Sequence, residues 1–169
     1  MGEYLPEKIL TNAQLEKLVD TSDEWITTRT GIKQRHLAAE GQAASDLAVK
    51  AAQRALANAN IKAEDIELIV VATITWDMPF PSTAAVVQNK LGAKNAVSFD
   101  ISAACAGFVY GISVAQQFIT CGTYKNALVI GVEVLSSITD WQDRNTCVLF
   151  GDGAGAAVLA EVAKGGIIS

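Results

Sequence analysis

The pattern of apolar and polar residues divides the chain into alternating helices and strands. Apolar residues recur every three or four positions after Ser45, which predicts an amphipathic helix capped by that serine and ending near Asn60. Elsewhere the apolar residues form continuous β-branched runs, which are typical of strands buried on both faces of a parallel sheet. The predicted elements are helices from Thr11 and Ser22, an extended piece over 32–37, a helix from Ser45, a strand over 68–74, a helix from Ser82 to Gly92, a strand over 96–101, a helix over 104–121, and strands over 127–134, 146–150 and 156–159. This alternation predicts an α/β fold with a largely parallel sheet and right-handed crossovers.

A corner of small residues separates the strand that ends at Ile101 from the long apolar helix, and Cys105 stands where that helix begins. The first turn of a helix presents unpaired backbone N–H groups and the positive end of the helix dipole. Both stabilise a thiolate, which is the nucleophilic form of sulfur. An isolated cysteine is more often a small core residue, so the strand–corner–helix context is what favours a nucleophile here. Cys121, at a helix end, and Cys147, in an apolar strand, are interpreted as core residues.

Composition narrows the class of protein. Half of the 169 residues are hydrophobic and 18% are charged, which indicates a well-buried globular chain with one domain over residues 1–169. A net charge of −5 argues against non-specific binding to nucleic acid or to anionic membranes. We expect no signal peptide; the sequence has no apolar run of membrane-spanning length, and its three cysteines lack metal-ligand spacing. These features predict a soluble cytoplasmic protein without a metal site.

Residues 151–156, with the sequence Gly-Asp-Gly-Ala-Gly-Ala, formally match the dinucleotide-binding fingerprint G-x-G-x-x-G/A. That fingerprint requires a helix to follow it, whereas residues 156–160 are apolar and typical of a strand. We therefore expect a tight hairpin in which Gly151, Gly153 and Gly155 bring the backbone close to another part of the molecule.

Several other residues carry candidate chemistry, each with a plainer alternative. Trp25 and Arg29 are spaced i, i+4 on one helix, where a ring and a guanidinium can hold a flat or phosphorylated ligand; Trp25 packed inward beside a solvated Arg29 is an equal alternative. Arg144 lies in a polar loop, where a charge ordinarily has no further role. His36, the only histidine, is interpreted as a surface or structural residue. Phe80, between two prolines, is either buried locally or presented at an interface.

Four segments together resemble the β-ketoacyl-acyl carrier protein synthase III family, the condensing enzymes that start bacterial type II fatty acid synthesis. They are Thr21-Ser22-Asp23-Glu24-Trp25-Ile26 running into Arg29-Thr30-Gly31-Ile32, Phe80-Pro81-Ser82, Ala103-Ala104-Cys105-Ala106-Gly107-Phe108, and Phe150-Gly151-Asp152-Gly153-Ala154-Gly155-Ala156. They occur in the family's order and span nearly the whole chain. The segment with Trp25 and Arg29 favours synthase III over the elongating synthases, and the match is to the family's N-terminal half.

The resemblance implies a thiolase-type fold, in which two βαβαβαββ halves form a five-layered α/β/α/β/α sandwich. It implies that Cys105 accepts an acyl group from acyl-CoA, with acetyl-CoA expected, its backbone N–H serving as one oxyanion donor. Malonyl-acyl carrier protein would then condense with that group, and no cofactor besides the coenzyme A thioester is expected. The other implied positions are Trp25 and Arg144 around the adenine of coenzyme A, Arg29 at the nucleotide end, Phe80 at the acyl pocket of a homodimer partner, strand 96–101 pairing across the two-fold axis, and the hairpin of Gly151, Gly153 and Gly155 beside the active site.

Two parts of the family pattern have no counterpart in the sequence. The histidine and asparagine of the condensation step belong to the family's C-terminal half, and His36 does not match that motif. The family's first strand, before Tyr4, is also expected to be missing. We therefore expect the chain alone not to be a competent condensing enzyme and to leave an apolar sheet face in need of a partner. A polyketide- or quinolone-type synthase and a non-catalytic binding module are the alternatives.

Overall fold

The structure, a computed structural model, describes residues 1–162 and residue 166; residues 163–165 and 167–169 of the expected domain lie outside the described residues. The strands are β1 (Gly2–Tyr4), β2 (Lys8–Thr11), β3 (Gln34–Leu37), β4 (Leu68–Ala72), β5 (Val97–Ile101), β6 (Asn126–Val134) and β7 (Asp152–Ala160). The α-helices are α1 (Asn12–Leu15), α2 (Asp23–Thr30), α3 (Ala44–Ala59), α4 (Thr83–Leu91) and α5 (Gly107–Thr120). Short 3-10 turns cover Ala63–Asp65, Ala104–Ala106 and Leu135–Ser137.

Five strands form one mixed sheet in the order β1-β7-β6-β4-β5. β4 runs parallel to both β5 and β6, as the continuous apolar runs predicted. β7 is antiparallel to β6, and β1 is antiparallel to β7, so the sheet is mixed and not largely parallel as predicted. The succession β1-α3-β4-α4-β5-α5-β6-β7 is the βαβαβαββ order of one thiolase-like half. β2 and β3 form a separate antiparallel ribbon.

Helices cover both faces of the sheet, and alternate side chains of β4 mark the division. Ile69 and Val71 pack with residues of α3 and α4, whereas Leu68 and Val70 pack with residues of α5. The outer side of α5 is uncovered, with Val109 61% and Tyr110 55% exposed. The expected uncovered apolar surface therefore includes the outer side of α5. Within the described part of the chain, no helix is both long and apolar enough to cross a membrane.

The strand predicted over 146–150 is wrong, because this segment forms turns. Its apolar residues Cys147 and Val148 pack into a small separate core with α1 and α2. The carbonyl of Val148 accepts hydrogen bonds from the Arg35 guanidinium at 3.2 and 2.5 Å, so it is not available to a neighbouring strand. We call residues 139–150 the wall segment, since they form one side of the cavity described below.

The predicted glycine hairpin is also wrong. Gly153 and Gly155 lie within β7, and Gly151 directly precedes that strand. The backbone here is paired on both sides: Gly155 lies opposite Gly131 of β6 and opposite Glu3 of β1. Two neighbouring strands hold this run extended, so the chain does not reverse at the glycines.

The cap of α3 and the presence of a first strand also differ from the predictions. The cap of α3 is not Ser45, because the carboxylate of Asp46 accepts the backbone N–H of Ala43 at 2.9 Å, one position before the helix. The hydroxyl of Ser45 instead accepts a hydrogen bond from Lys90 Nζ at 2.7 Å. The first strand, which we expected to be missing, is present as the three residues of β1.

Candidate active site

Cys105 lies at the carboxyl end of the parallel strands, where the chain turns from β5 into α5. The 3-10 turn Ala104–Ala106 continues directly into α5, so the predicted strand–corner–helix arrangement is confirmed. Ala104 has a φ of 45°, in the left-handed region, which costs a residue with a Cβ roughly 1–2 kcal/mol. This strained residue directly precedes Cys105, which is exposed.

Two glycines let the start of α5 lie against the sheet. A Cβ added to Gly107 would stand 2.9 Å from the Cβ of Ala72, the last residue of β4. One added to Gly111, a turn later, would stand 2.9 Å from Cγ1 of Val129 in β6. Real Cβ atoms do not approach this closely, so both positions require a residue without a side chain. Because α5 packs this closely against β4 and β6, the position of Cys105 relative to the ends of these strands is fixed.

A cavity of about 490 Å³ opens at Cys105. Its lining residues come from the strand ends, the 3-10 turn after β6 and the wall segment: Ile74, Ala104, Cys105, Glu133, Leu135, Ile138, Thr139, Asp140, Thr146 and Phe150. The lining is mostly apolar, with the charged groups of Glu133 and Asp140 as exceptions. The arrangement exposes a thiol to a chamber that can hold a small, largely apolar group.

A second cavity, of about 300 Å³, adjoins Cys105 on the side of β7. Gly151 and Gly153 line it, as do Gly131 and Phe108. These two glycines are thus beside Cys105 even though they form no hairpin. Gly155 is not among its lining residues; it borders a different depression, near Arg54 and the start of the chain.

Glu133 lines both cavities and was missed by the sequence analysis. Its carboxylate accepts hydrogen bonds from the backbone N–H of Ile74 at 2.9 Å and from Thr75 Oγ1 at 2.5 Å. It therefore ties the segment after β4 to the end of β6, next to Cys105. The signal that could have identified it is a single acidic residue inside an otherwise apolar strand.

Trp25, Arg29 and Arg144 lie together at the surface. The guanidinium carbon of Arg29 is 4.5 Å from the centre of the Trp25 ring, and that of Arg144 is 5.0 Å from it. Trp25 is half-buried against the small core, so the inward-packing alternative also describes part of its environment. We call these three residues the aromatic–arginine cluster. A base stacked between Trp25 and Arg144 needs about 7 Å, two van der Waals layers, so Arg144 has to move outward to admit one.

The wall segment connects this cluster to Cys105. It carries Arg144, and its residues Thr139, Asp140, Thr146 and Phe150 line the larger cavity. Next to Arg144, Asp143 accepts hydrogen bonds from the backbone N–H of Asn145 at 2.9 Å and from the Thr146 hydroxyl at 2.8 Å. These two bonds hold the pKa of Asp143 below its usual range, and they stiffen the turn that presents Arg144.

The remaining candidates divide into structural and surface residues. His36 is hydrogen-bonded through Nδ1 to the carbonyl of Pro6 at 2.6 Å, which is a structural role. Cys147 is buried, and burial raises the pKa of its thiol. Cys121 is exposed at the end of α5, so its interpretation as a core residue is wrong. Phe80 is 87% exposed, which leaves the interface interpretation and removes local burial.

Comparisons with known proteins agree with the fold and with the four motifs. The family model for 3-oxoacyl-[acyl-carrier-protein (ACP)] synthase III matches residues 99–169. The β-ketoacyl-[acyl-carrier-protein] synthase III of Caldanaerobacter subterraneus is 65% identical over 164 residues, which cover 97% of this chain and 50% of that protein. The chain spans about half the length of the curated relatives that it matches.

Solved structures give the same result. The 3-oxoacyl-[acyl-carrier-protein] synthase III of Aquifex aeolicus has a TM-score of 0.94 and 55% identity, over 96% of this chain and 53% of that one. The priming β-ketosynthase of a polyketide biosynthetic pathway has a TM-score of 0.93 and 38% identity, over 95% and 48% of the two chains. Over nearly all of its length, the chain resembles the N-terminal half of a β-ketoacyl-[acyl-carrier-protein] synthase III, as its motifs predicted.

Proposed function

We propose that this chain carries the acyl-accepting site of a β-ketoacyl-[acyl-carrier-protein] synthase III, in which Cys105 takes an acetyl or similar short acyl group from acyl-CoA. The observation that supports it best is the position of Cys105, exposed in a cavity whose wall segment bears Arg144. Arg144 in turn lies over Trp25. One segment therefore borders both the cavity of the nucleophile and a cationic, aromatic surface suited to a nucleotide. The thioester is the substrate, and we propose no separate cofactor.

The proposed step is an acyl transfer between two sulfur atoms. The sulfur of Cys105 attacks the carbonyl carbon of the thioester, a new C–S bond forms, and the sulfur of coenzyme A leaves as a thiolate. Negative charge on the carbonyl oxygen of the tetrahedral intermediate is stabilised by backbone N–H groups at the start of a helix, with that of Cys105 as one proposed donor.

The subsequent carbon–carbon bond formation needs further groups. In the family, malonyl-acyl carrier protein loses carbon dioxide, and the resulting carbanion adds to the acyl-cysteine. Among the described residues that line the two cavities at Cys105, there is neither the histidine nor the asparagine that the resemblance implies for this step. We therefore propose that the chain as given performs acyl transfer but not condensation.

We also propose that the chain pairs with a second copy through β5. Among the described strands β5 pairs with β4 alone and lies at the edge of the sheet, so its outer backbone groups are available to continue the sheet. Val97 on this strand is 50% exposed, and Phe80 projects from the surface at 87% exposure. In such a homodimer Phe80 would close the acyl pocket of the partner.

Three free thiols support a reducing, cytoplasmic location.

The proposal is tested by incubating the chain with isotopically labelled acetyl-CoA and locating the adduct by peptide mass spectrometry. We expect one acetyl group on Cys105, which persists when malonyl-acyl carrier protein is added. Label on Cys121 in place of Cys105, or no label, contradicts acyl transfer. A 3-ketoacyl product from the purified chain contradicts the restriction to that first step.

A polyketide-priming synthase is the second candidate, because the solved structure of one such enzyme matches this fold at 38% identity. We propose that both candidates share the acylation of Cys105 and differ in the acyl group that is accepted. The rates of adduct formation from acetyl-, butyryl- and isobutyryl-CoA measure that preference: a preference for acetyl agrees with the short acyl group proposed above, and a preference for a longer group contradicts it.

Trp25→Ala is expected to weaken binding of coenzyme A by about 1–3 kcal/mol, the range measured for stacking of a base on an aromatic side chain. The half-buried ring supplies the flat surface over which Arg29 and Arg144 lie. Titration calorimetry with coenzyme A measures the change, and Trp76→Ala, which removes an exposed tryptophan outside the aromatic–arginine cluster, is the control. Equal affinity in wild type and Trp25→Ala means that Trp25 serves only packing.

A further inference from the structure

The aromatic–arginine cluster is built from two elements far apart in the sequence. Trp25 and Arg29 are on α2, and Arg144 is on the wall segment. The surface contact between Arg144 Nη1 and Asp20 Oδ2, at 3.3 Å, is exposed, and such ion pairs contribute little. The separation between the two elements is therefore set beneath the surface, by the small apolar core that they share and by the buried hydrogen bonds below it.

Asn12, the first residue of α1, is 1% exposed and binds α2 on one side. Its Nδ2 donates to the carboxylate of Asp23 at 2.7 Å and to the carbonyl of Ile32 at 2.8 Å. Its Oδ1 accepts a hydrogen bond from Arg35 Nη1 at 2.7 Å. The partners fix the orientation of the amide, because a carboxylate and a carbonyl only accept and a guanidinium only donates.

Arg35 continues the connection to the wall segment. Its Nε and Nη2 both donate to the carbonyl of Val148, four residues after Arg144. The hydrogen bonds thus run from Asp23 on α2 through Asn12 and Arg35 to Val148. We call these four residues the Asn12–Arg35 relay.

The charge of Arg35 makes the relay unusual. Arg35 is 4% exposed, and among the described residues no carboxylate lies within ion-pair distance of it. Burial lowers the pKa of its guanidinium, as expected for a cation that has lost water without gaining a counter-ion. Burying a charge without a counter-ion costs free energy, so the guanidinium is not explained as a source of stability. The guanidinium is planar and carries several N–H donors. It therefore holds its two acceptors, Asn12 Oδ1 and the carbonyl of Val148, in a fixed relative geometry.

We propose that Asn12 and Arg35 are positioning residues for coenzyme A. They set the separation of Trp25 and Arg144, and with it the geometry of the nucleotide-binding site. The proposal rests on the proposed acyl transfer from acyl-CoA. It assigns the two residues to binding of the nucleotide end and to none of the chemistry at Cys105.

The test compares acylation of Cys105 by two donors on one protein preparation. The donors are acetyl-CoA and S-acetyl-N-acetylcysteamine, a thioester without the nucleotide, and the readout is the ratio of the two rates from mass spectrometry. Because any unfolded fraction lowers both rates equally, the ratio reports positioning and not stability. We expect Arg35→Met and Asn12→Ala to lower the ratio roughly tenfold or more, because the rate from acetyl-CoA falls further than the rate from the nucleotide-free donor.

Two further variants separate geometry from charge. Arg35→Lys keeps the cation but loses the fork that reaches Asn12 and Val148 together, so we expect it to lower the ratio as well. Lys33→Met removes an exposed cation two residues away and is expected to leave the ratio at the wild-type value. A wild-type ratio in Arg35→Lys overturns the positioning role, because charge alone would then suffice.

A wild-type ratio in both Arg35→Met and Asn12→Ala likewise overturns the positioning role and leaves the proposed acyl transfer standing. If the wild-type chain itself reacts no faster with acetyl-CoA than with the nucleotide-free thioester, the nucleotide site is wrong. The two failures are therefore distinguishable in one set of measurements.

Discussion

Cys105→Ser is expected to lower acetyl transfer to the chain by on the order of 10³-fold or more, the scale of nucleophile removal in covalent enzymes. A serine hydroxyl in the same place needs an adjacent base to take its proton. No histidine is among the described residues that line the cavities at Cys105, and the carboxylate of Glu133 is already engaged with Ile74 and Thr75. The oxygen is therefore left without activation.

The measurement is the rate at which intact chain gains one acetyl group from acetyl-CoA. Cys121→Ser is the matched control, since Cys121 is also exposed but lies at the far end of α5. We expect it to be acetylated at the wild-type rate. A Cys105→Ser protein that still accepts acetyl, or a Cys121→Ser protein that does not, would place the nucleophile elsewhere.

Gly107→Ala is expected to destabilise the fold by about 1–3 kcal/mol and to impair acylation of Cys105. Its new methyl group would stand 2.9 Å from the Cβ of Ala72, so the start of α5 has to move away from β4 and carries Cys105 with it. The sign is informative, because glycine to alanine inside a helix otherwise stabilises by about 1 kcal/mol. The steric clash with Ala72 therefore has to cost more free energy than alanine gains as the better helix former.

Urea unfolding measures the stability of Gly107→Ala, and the acetylation rate well below the unfolding transition measures the displacement. Gly155→Ala is the matched control, because nothing lies within 4 Å of the Cβ it would add and it borders a different depression. We expect that variant to be at least as stable as the wild type and to be acylated at the wild-type rate. If Gly107→Ala is more stable than the wild type and is acylated at the full rate, α5 does not need to pack this closely against β4.

Local signals predicted the elements well where the cause of the structure is local. Ser82 caps α4 by accepting the backbone N–H of Ala85 at 3.2 Å, and Gly92 ends that helix with a left-handed φ of 73°. The parallel strands followed from continuous apolar runs, since burial on both faces leaves no room for polar residues. The corner at Cys105 was likewise legible from small residues between a strand and a helix.

Predictions failed where distant contacts decide the structure. Residues 146–150 have the composition of a strand, but the guanidinium that binds the carbonyl of Val148 belongs to Arg35, 113 positions earlier. The glycine run was assigned to a hairpin because its two strand neighbours, β1 and β6, are not visible in its own sequence. Trp25 and Arg144 were placed together by resemblance, and their distance of 5.0 Å comes from packing that no local pattern encodes.

The wall segment both lines the larger cavity at Cys105 and carries Arg144, and this has a thermodynamic consequence. If the wall segment moves outward as a unit when Arg144 admits a base over Trp25, Thr146 and Phe150 move with it, and the chamber at Cys105 changes volume. Occupancy of the nucleotide seat and the size of the acyl group held near the sulfur are then linked. Linkage is reciprocal: whatever factor the nucleotide adds to the affinity for an acyl group, that group adds to the affinity for the nucleotide. The adenine end of the substrate would accordingly contribute to discrimination between short and long acyl donors, although it lies at a distance from the acyl chain.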